Sequence, residues 1–196
     1  MTKSASPLRE PTHDSAATAH LLESRRTIHE FEVKRPPLEL VQRAIELARW
    51  APNHHATEPW HFYILGRETA AAIAKLNADL VARDRGAESA RIKLQRWKRI
   101  PGWLAVTCDS SDDAIRARED YAACCCALQN LSLYLWSEGI GVKWTTGSVT
   151  RLPEFYDLIW VDPNAETLVG LMWYGYPAEV PATTRKPLEQ IVVELP

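Results

Sequence analysis

Two pairs of basic residues lie where the chain could bind an anionic group. Arg25 and Arg26 end a predicted helix and are followed by Thr27. Guanidinium groups bind phosphate or ring-edge oxygens through two parallel hydrogen bonds, so this segment suits a phosphate or the polar edge of a ring. A solvated basic helix end, which the helix dipole favours, is the alternative. Arg185 and Lys186 lie in a Pro-flanked segment near the C-terminus, which fits either a phosphate site or a solvated tail.

A polar loop over residues 50–60 joins a predicted helix to a predicted strand and is stiffened by two prolines. Stiff polar loops at strand ends often bind ligands. A metal site formed by His54, His55 and His61 is an alternative, but no cysteine or further ligand at a metal spacing accompanies them. We therefore expect these histidines to hydrogen-bond to backbone or ligand, and we predict no metal site.

The end of another predicted strand carries Trp144, Thr145 and Thr146 into a tight turn. Hydroxyl and backbone N–H groups there could bond a planar heterocycle, whereas an ordinary strand end with a core tryptophan is the alternative. The preceding Gly139 and Gly141 do not begin a dinucleotide-binding fingerprint. The third glycine of that pattern would fall at Trp144, and these glycines follow a helix and precede a strand.

The elements that must position these groups follow from hydrophobic periodicity and from Pro and Gly breakers. A length of 196 residues fits one domain. We predict a flexible tail over residues 1–17 and a single folded domain over residues 18–196. Helices are predicted at residues 16–25, between residues 36 and 52, around residues 73–80, at 88–99 and 113–138, and near 152–153. Strands are predicted at residues 61–65, 103–108, 142–145, 167–174 and 190–195, which together indicate an α+β fold.

Charge and composition exclude several partners. With 23 basic and 25 acidic residues the net charge is −2, which leaves no broad footprint for nucleic acid. The sequence shows neither a signal peptide nor an apolar run of about 20 residues that would span a membrane. The four cysteines match no zinc or redox spacing, so we expect buried free thiols in a reducing compartment. These features predict a cytoplasmic protein without nucleic-acid or membrane partners.

Taken together and in this order, the segments resemble the nitroreductase family of FMN flavoproteins. The resemblance runs from about residue 18 to the C-terminus, and residues 52–54 are similar to the small NAD(P)H nitroreductase branch. The matching residues are Arg25, Arg26, Thr27 and Phe31; Ala51, Pro52, Glu58, Pro59 and Trp60; Gly139, Ile140, Gly141, Trp144, Thr145, Thr146 and Gly147; and Arg185, Lys186 and Pro187.

The resemblance implies a nitroreductase-like fold, in which a central, mostly antiparallel sheet is flanked by helices. It also implies an intertwined homodimer with FMN at the subunit interface and with the long helix 113–138 in the dimer core. The implied activity is that of an oxidoreductase, which transfers hydride from NAD(P)H through FMN to nitroaromatic, quinone or related small-molecule acceptors. No side chain is assigned as a dedicated catalytic acid or base.

Carried over by position, one group of residues would hold the polar parts of FMN. Arg25, Arg26 and Thr27 would contact the ribityl phosphate and the pyrimidine edge, and Arg185 would clamp the phosphate. Arg26 is our candidate for stabilising the charge that develops at the pyrimidine edge.

A second group would line the flavin ring. Trp144, Thr145 and Thr146 would come from the same chain as the arginines, and Trp50 and His54 would come from the other subunit.

Two departures and three alternatives accompany the resemblance. Many family members carry Asn and Gln in the loop where this chain has Ala56 and Glu58, which shifts the expected flavin contacts of the loop onto His54. A non-catalytic flavin-binding protein, a related dehalogenase or oxidase, and a metal hydrolase are the alternatives.

A basic run over residues 91–99 could steer a phosphorylated nicotinamide cofactor or form a solvated helix face.

Overall fold

The computed structural model describes residues 14–196, which form a four-stranded sheet with helices on both of its faces. The helices are α1 (Ser15–Ser24), α2 (Leu38–Ala48), α3 (Arg67–Lys98), α4 (Ala114–Ser137) and α5 (Pro153–Ile159). Short 3-10 turns cover His54–Ala56, Ser148–Arg151 and Leu188–Gln190. Most of the predicted tail lies outside the described residues, and residues 15–17 form the first turn of α1.

The sheet is antiparallel throughout. Its strands are β1 (Trp60–Ile64), β2 (Gly102–Asp109), β3 (Gly141–Thr145) and β4 (Glu166–Gly175). They lie in the order β1-β2-β4-β3, so β2 and β4 form the centre, and β1 and β3 form the two edges. The predicted α+β class and the predicted antiparallel sheet are confirmed.

The predicted fifth strand at residues 190–195 is wrong. This segment follows the last 3-10 turn without forming a strand, and within residues 14–196 no strand pairs with it. Ile191, Val192, Val193 and Leu195 are all exposed. β-Branched residues favour extended backbone, but a strand also needs a neighbour that satisfies its N–H and C=O groups.

Each face of the sheet packs against its own helical layer. Side chains alternate along a strand, so Leu104 and Val106 of β2 join the core formed with α2 and α4. Trp103 and Ala105 face the other way, toward α3 and α5. On that second face, the rings of Trp97, Trp103 and Trp173 contact one another with centroids 4.9–5.6 Å apart.

Helix α4 agrees with the prediction for residues 113–138. Its N-cap Asp113 accepts hydrogen bonds from the backbone N–H groups of Ile115 and Arg116, at 2.8 and 3.3 Å. Gly139 ends it with a positive φ of 74°, which glycine adopts without steric cost. Tyr121 and Cys126, on the outer side of the helix, are exposed in this chain.

Helix α3 bends at Gly86, whose φ of 82° and ψ of 168° are not helical. The bend separates the two helices predicted around residues 73–80 and at 88–99. The segment after the bend carries Trp97 into the aromatic core and leaves the basic residues of this run exposed, except for the half-buried Lys93.

The cysteines divide between core and surface. Cys108 and Cys124 are buried, Cys125 is half-buried and Cys126 is exposed. The expectation of a buried thiol is therefore wrong for Cys126, which lies about 200° around α4 from Cys124. Over residues 14–196, the structure holds no helix that is both long and apolar enough to cross a bilayer.

Candidate functional site

Helix α1 delivers Arg25 and Arg26 to the edge of the sheet. Trp136 on α4 donates a hydrogen bond from its indole Nε1 to the Ser24 hydroxyl at 2.9 Å, which ties the end of α1 to the body of the protein. The backbone N–H of Arg25 then closes the helix by bonding the Leu21 carbonyl at 3.3 Å. The position of the two arginines is therefore set by α4.

The next residues run beside the edge strand β3. Thr27 pairs with Val142 in a parallel bridge, and the Ile28 N–H donates to the Val142 carbonyl at 3.1 Å. Ile28 is fully buried. Gly141 permits this close approach, because a Cβ there would overlap the Ile28 side chain. Thr27 is thus placed alongside the strand that carries Trp144.

The structure brings three predicted phosphate ligands into one cluster: Arg25, Arg26 and Arg185. Burial lowers the pKa of Arg25, and the positive charges of Arg185 and then Arg26 lower it further. Within the described part of the chain, no carboxylate forms a salt bridge with any of the three. Three like charges held together without an anion repel one another, and a bound phosphate would reverse that cost.

Two of these guanidinium groups bond backbone oxygen. Arg26 donates from Nη1 to the carbonyl oxygens of Glu23 and Arg25, the latter at 3.0 Å, so it satisfies the C-terminus of α1. This is the helix-end role that the sequence left open as the alternative. Arg185 donates from Nη1 to the Thr183 hydroxyl at 3.0 Å and to the Thr184 carbonyl at 3.2 Å. Both groups keep further N–H donors for a ligand.

Trp144 contacts the neighbouring strand β4 through the Nε1 edge of its indole. Its indole Nε1 donates to the Val169 carbonyl at 3.0 Å, and its ring covers Gly170, where a Cβ would overlap the indole. The side chain remains 40% exposed, so one side of the ring faces outward. Thr145 is half-buried and Thr146 is exposed in the turn that follows. Together these residues form a flat aromatic and hydroxyl surface at the strand end.

We predict that Gly170→Ala displaces Trp144 and lowers the free energy of unfolding. The added methyl would overlap the indole, and overpacking of this kind costs about 1–3 kcal/mol. Urea unfolding followed by tryptophan fluorescence measures the loss. Gly66→Ala is the matched control, because nothing lies within 4 Å of a Cβ at that position. Equal stability of the two variants would contradict the packing described for Trp144.

The loop at residues 50–60 presents Trp50 and His54 outward. Trp50 is 77% exposed and lines a cavity of about 320 Å³ with the loop residues that follow it. His54 bonds Glu119 of α4 through Nδ1 at 2.9 Å and stacks on His55, with ring centroids 4.0 Å apart. The core of their own chain covers neither the Trp50 ring nor the His54 ring.

The backbone of this loop is unusual. His55, Ala56 and Glu58 have φ values of 60°, 49° and 47°, in the left-handed region that side chains with a Cβ seldom adopt. Such conformations persist only where the surroundings determine them, and they concentrate at functional sites. Ala56 and Glu58 are the positions at which the expected flavin contacts of this loop are missing. Their segment is therefore held in a defined backbone conformation although those contacts are not expected.

A hydrogen-bond network that the sequence analysis missed holds this shape. Asn53 accepts the Glu58 N–H at 2.7 Å and donates to the Thr57 hydroxyl at 2.9 Å. Thr57 in turn donates to Asp120 of α4, which also contacts Arg116 at 3.4 Å. The Asp120 carboxylate is buried. Asp120 stands beside Arg118 and Glu119 in the charged first half of α4, so nothing in the sequence marked it as the buried carboxylate.

One chain does not bring the two ring-lining groups together. The loop with Trp50 and His54 precedes the edge strand β1, whereas Trp144, Thr145 and Thr146 end the opposite edge strand β3. Three strand spacings separate these edges, which is about 14 Å. Arg25, Arg26, Thr27 and Arg185 lie on the β3 side. The predicted site residues thus form two groups on opposite edges of the sheet.

Two of the three histidines considered for a metal site bond to carboxylates on different elements. His61 bonds Asp109 at 2.7 Å, whereas His54 bonds Glu119. Within residues 14–196, no three His, Cys, Asp or Glu side chains are grouped so that they could hold a metal ion.

An antiparallel sheet between two helical layers defines an α+β protein, and three arginines gather at the edge of the sheet formed by the strand that carries Trp144. The chain belongs to the nitroreductase family: the family model described as "Nitroreductase family" matches residues 22–176. The predicted family membership is confirmed.

Individual relatives cover nearly the whole chain. A protein of Bacillus subtilis (strain 168) named "Putative NAD(P)H nitroreductase YfhC" is 29% identical over 184 residues, which span 92% of this chain and 94% of that protein. The crystal structure of a nitroreductase-like family protein from Bacillus cereus is 27% identical with a TM-score of 0.80, covering 100% of this chain and 98% of that one.

A more distant structure, from Desulfovibrio desulfuricans, is described as a "putative nitroreductase in complex with fmn". It has a TM-score of 0.70 and 19% identity, and the match covers 94% of this chain and 99% of that one. At this identity the likeness concerns the fold. The predicted nitroreductase-like fold is confirmed by both structures.

Proposed function

We propose that this chain is an FMN-dependent oxidoreductase, which transfers hydride from NAD(P)H to nitroaromatic, quinone or related small-molecule acceptors. The observation that carries the proposal is the cluster of Arg25, Arg26 and Arg185 at the edge of the sheet formed by β3, the strand that also carries the part-exposed Trp144. Clustered guanidinium groups suit a phosphate, and a flat exposed indole suits a planar ring. When bound, FMN supplies the redox chemistry, and the protein positions it.

The residues of this chain would divide the binding between them. Arg25 and Arg185 would hold the phosphate, because their charges are close and lack a carboxylate partner among the described residues. Arg26 and Thr27 would bind the pyrimidine edge, where a cation stabilises developing negative charge. Arg26 would keep its bond to the end of α1 with one nitrogen and offer the others.

We propose that the site is completed by a second copy of the chain in a homodimer. Trp50 and His54 lie on the far edge of the sheet from Trp144, so only another copy could place them against the same ligand. Their exposure leaves both side chains accessible to a second copy of the chain.

The outer faces of two helices and the C-terminal segment would form the dimer contact. Helix α1 buries none of its residues within this chain. Helix α4 leaves Ile115 and Tyr121 exposed. The segment after residue 179 is almost wholly exposed, yet it carries several large apolar side chains: Val180, Leu188, Ile191, Val192, Val193 and Leu195. Apolar surface of this extent favours association.

We further propose that residues 18–196 act as one domain and that the protein is cytoplasmic. The two helical layers share a single sheet, which supports one domain. Four cysteines without a disulfide among them are typical of a reducing compartment.

Anaerobic mixing of the flavin-loaded protein with NADH or NADPH tests the proposal. We expect bleaching of the flavin absorption, followed by reoxidation when a quinone or a nitroaromatic compound is added. A flavin that stays oxidised would contradict the enzyme and favour a flavin carrier. A flavin that is reduced but passes electrons only to a halogenated aromatic compound would favour the dehalogenase alternative.

A further inference from the structure

A second cavity lies apart from the arginine cluster, on the α3 side of the sheet. Its volume is about 470 Å³, and it is bounded by residues 29–31, by the last two turns of α3 and by Trp173 of β4. Phe31, Ile92 and Ile100 supply apolar walls. The polar walls come from His29, Glu30, Gln95 and three arginines. The arginines are Arg91, Arg96 and Arg99.

Two lysines add to the positive charge beside this cavity. Lys143 of β3 places its Nζ 4.8 Å from the centroid of the Trp173 ring, which lines the cavity. Lys93 places its Nζ 5.9 Å from the Trp97 ring, and the Trp97 and Trp173 centroids are 4.9 Å apart. Both lysines are half-buried against the aromatic cluster rather than fully solvated.

Acidic side chains balance only part of this charge. Glu30 pairs with Arg96 at 2.8 Å, and Glu88 pairs with Arg91 at 2.7 Å. Among residues 14–196, Lys93, Lys143 and Arg99 form no ion pair. The cations around the cavity therefore outnumber its carboxylates.

The pKa values of the two lysines and of His29 are lowered partly by this excess of positive charge. Burial lowers the pKa of Lys143, and the charges of Arg96 and Lys93 lower it further, against a weaker opposing effect of Glu30. Burial also lowers the pKa of Lys93, to which Arg96 adds. The pKa of His29 is lowered by burial, Lys143 and Arg96. An anion in the cavity would favour the charged form of every one of these groups.

A buried donor lies in the wall of the same cavity. The indole Nε1 of Trp173 has no hydrogen-bond partner among the described residues, although buried N–H groups are nearly always bonded. A solvated helix face, the alternative for residues 91–99, would explain exposed paired charges. It would not explain half-buried unpaired lysines around a cavity.

We propose that this cavity binds the phosphate monoester of a small molecule, with positive charge supplied by Arg96 and Arg99 in its wall and by Lys93 and Lys143 beside it. The enclosed volume suits a small ligand, and the apolar walls suit an organic group attached to the phosphate. Two sources carry this chemistry: the 2′-phosphate of NADPH and a separate phosphorylated metabolite. The first source rests on the function proposed above; the anion site itself does not.

Calorimetric titration of the FMN-loaded protein with 2′-AMP, 5′-AMP and adenosine tests the site. We expect the nucleotides to bind and adenosine to bind far more weakly. Lys143→Gln and Lys93→Gln should each weaken nucleotide binding by about tenfold, as the loss of one charge-assisted contact predicts. Lys75→Gln, on the exposed first half of α3 and paired with Asp79, is the matched control and should bind as the parent protein does.

The site is overturned if adenosine binds as tightly as the nucleotides, or if both lysine variants bind them like the control. The lysine variants test the cavity directly, so this result stands even when the purified protein carries no FMN. A failure of this site is thereby distinguished from a failure of the proposed function. The ratio of kcat/KM for NADPH to that for NADH separates the two sources. A fall of this ratio in both lysine variants assigns the site to the 2′-phosphate, and an unchanged ratio with weakened nucleotide binding assigns it to another phosphorylated ligand.

Discussion

Replacing Arg25 with glutamine is expected to weaken FMN binding by about a hundredfold, since a charge-assisted contact to phosphate contributes about 1.5–3 kcal/mol. The same change should leave the FMN-free protein no less stable. In the free protein, the positive charges of Arg185 and Arg26 oppose that of Arg25, so its removal relieves repulsion. Titration of FMN fluorescence gives the affinity, and urea unfolding of the apoprotein gives the stability.

The two readouts separate a ligand-binding role from a structural one. If the Arg25 side chain has only a structural role, the apoprotein should lose stability while FMN affinity stays unchanged, which would contradict the assignment. Arg83→Gln is a suitable control because Arg83 is exposed on α3 and forms no ion pair within residues 14–196. We expect it to alter neither quantity.

Mixing two defective variants is expected to restore about a quarter of the flavin sites, if each site takes residues from two chains of a dimer. One variant carries Arg25→Gln, and the other carries Trp50→Ala with His54→Ala. Random pairing makes half of the dimers mixed. Each mixed dimer then holds one site with both defects and one site with none.

Co-expression of the two variants with different affinity tags allows the mixed dimer to be isolated, and its FMN content is read from the absorption spectrum. The pure variants provide the baselines. Recovery of flavin in the mixed dimer supports a shared site. Flavin content no higher than the better of the two baselines would show that Arg25, Trp50 and His54 do not serve a common site across chains.

Local pattern predicted the elements well because most of them are amphipathic or bounded by strong breakers. Gly139 ends α4 and Gly86 bends α3 at the positions where the sequence was divided. The central placement of β4 agrees with its nearly continuous apolar run. Residues 190–195 have a similar local pattern, but their exposure shows that pattern alone does not supply a pairing neighbour.

The site residues were predicted from motif positions, whereas the contacts that hold them were not. The bond from Trp136 to Ser24 and the contact from Thr57 to Asp120 each join residues more than 60 positions apart. No local periodicity predicts such pairs, because they depend on how α4 packs against its neighbours. The placement of Lys143 and Lys93 is a similar case. They lie 50 positions apart in the chain, and each contacts a ring of the same aromatic cluster.

The absorption spectrum of the purified protein, taken before and after denaturation, tests the central claim most directly. We predict a yellow protein that releases FMN on denaturation, at about one FMN per chain if each of the two dimer sites is filled. A colourless protein that cannot be reconstituted with added FMN would contradict the account.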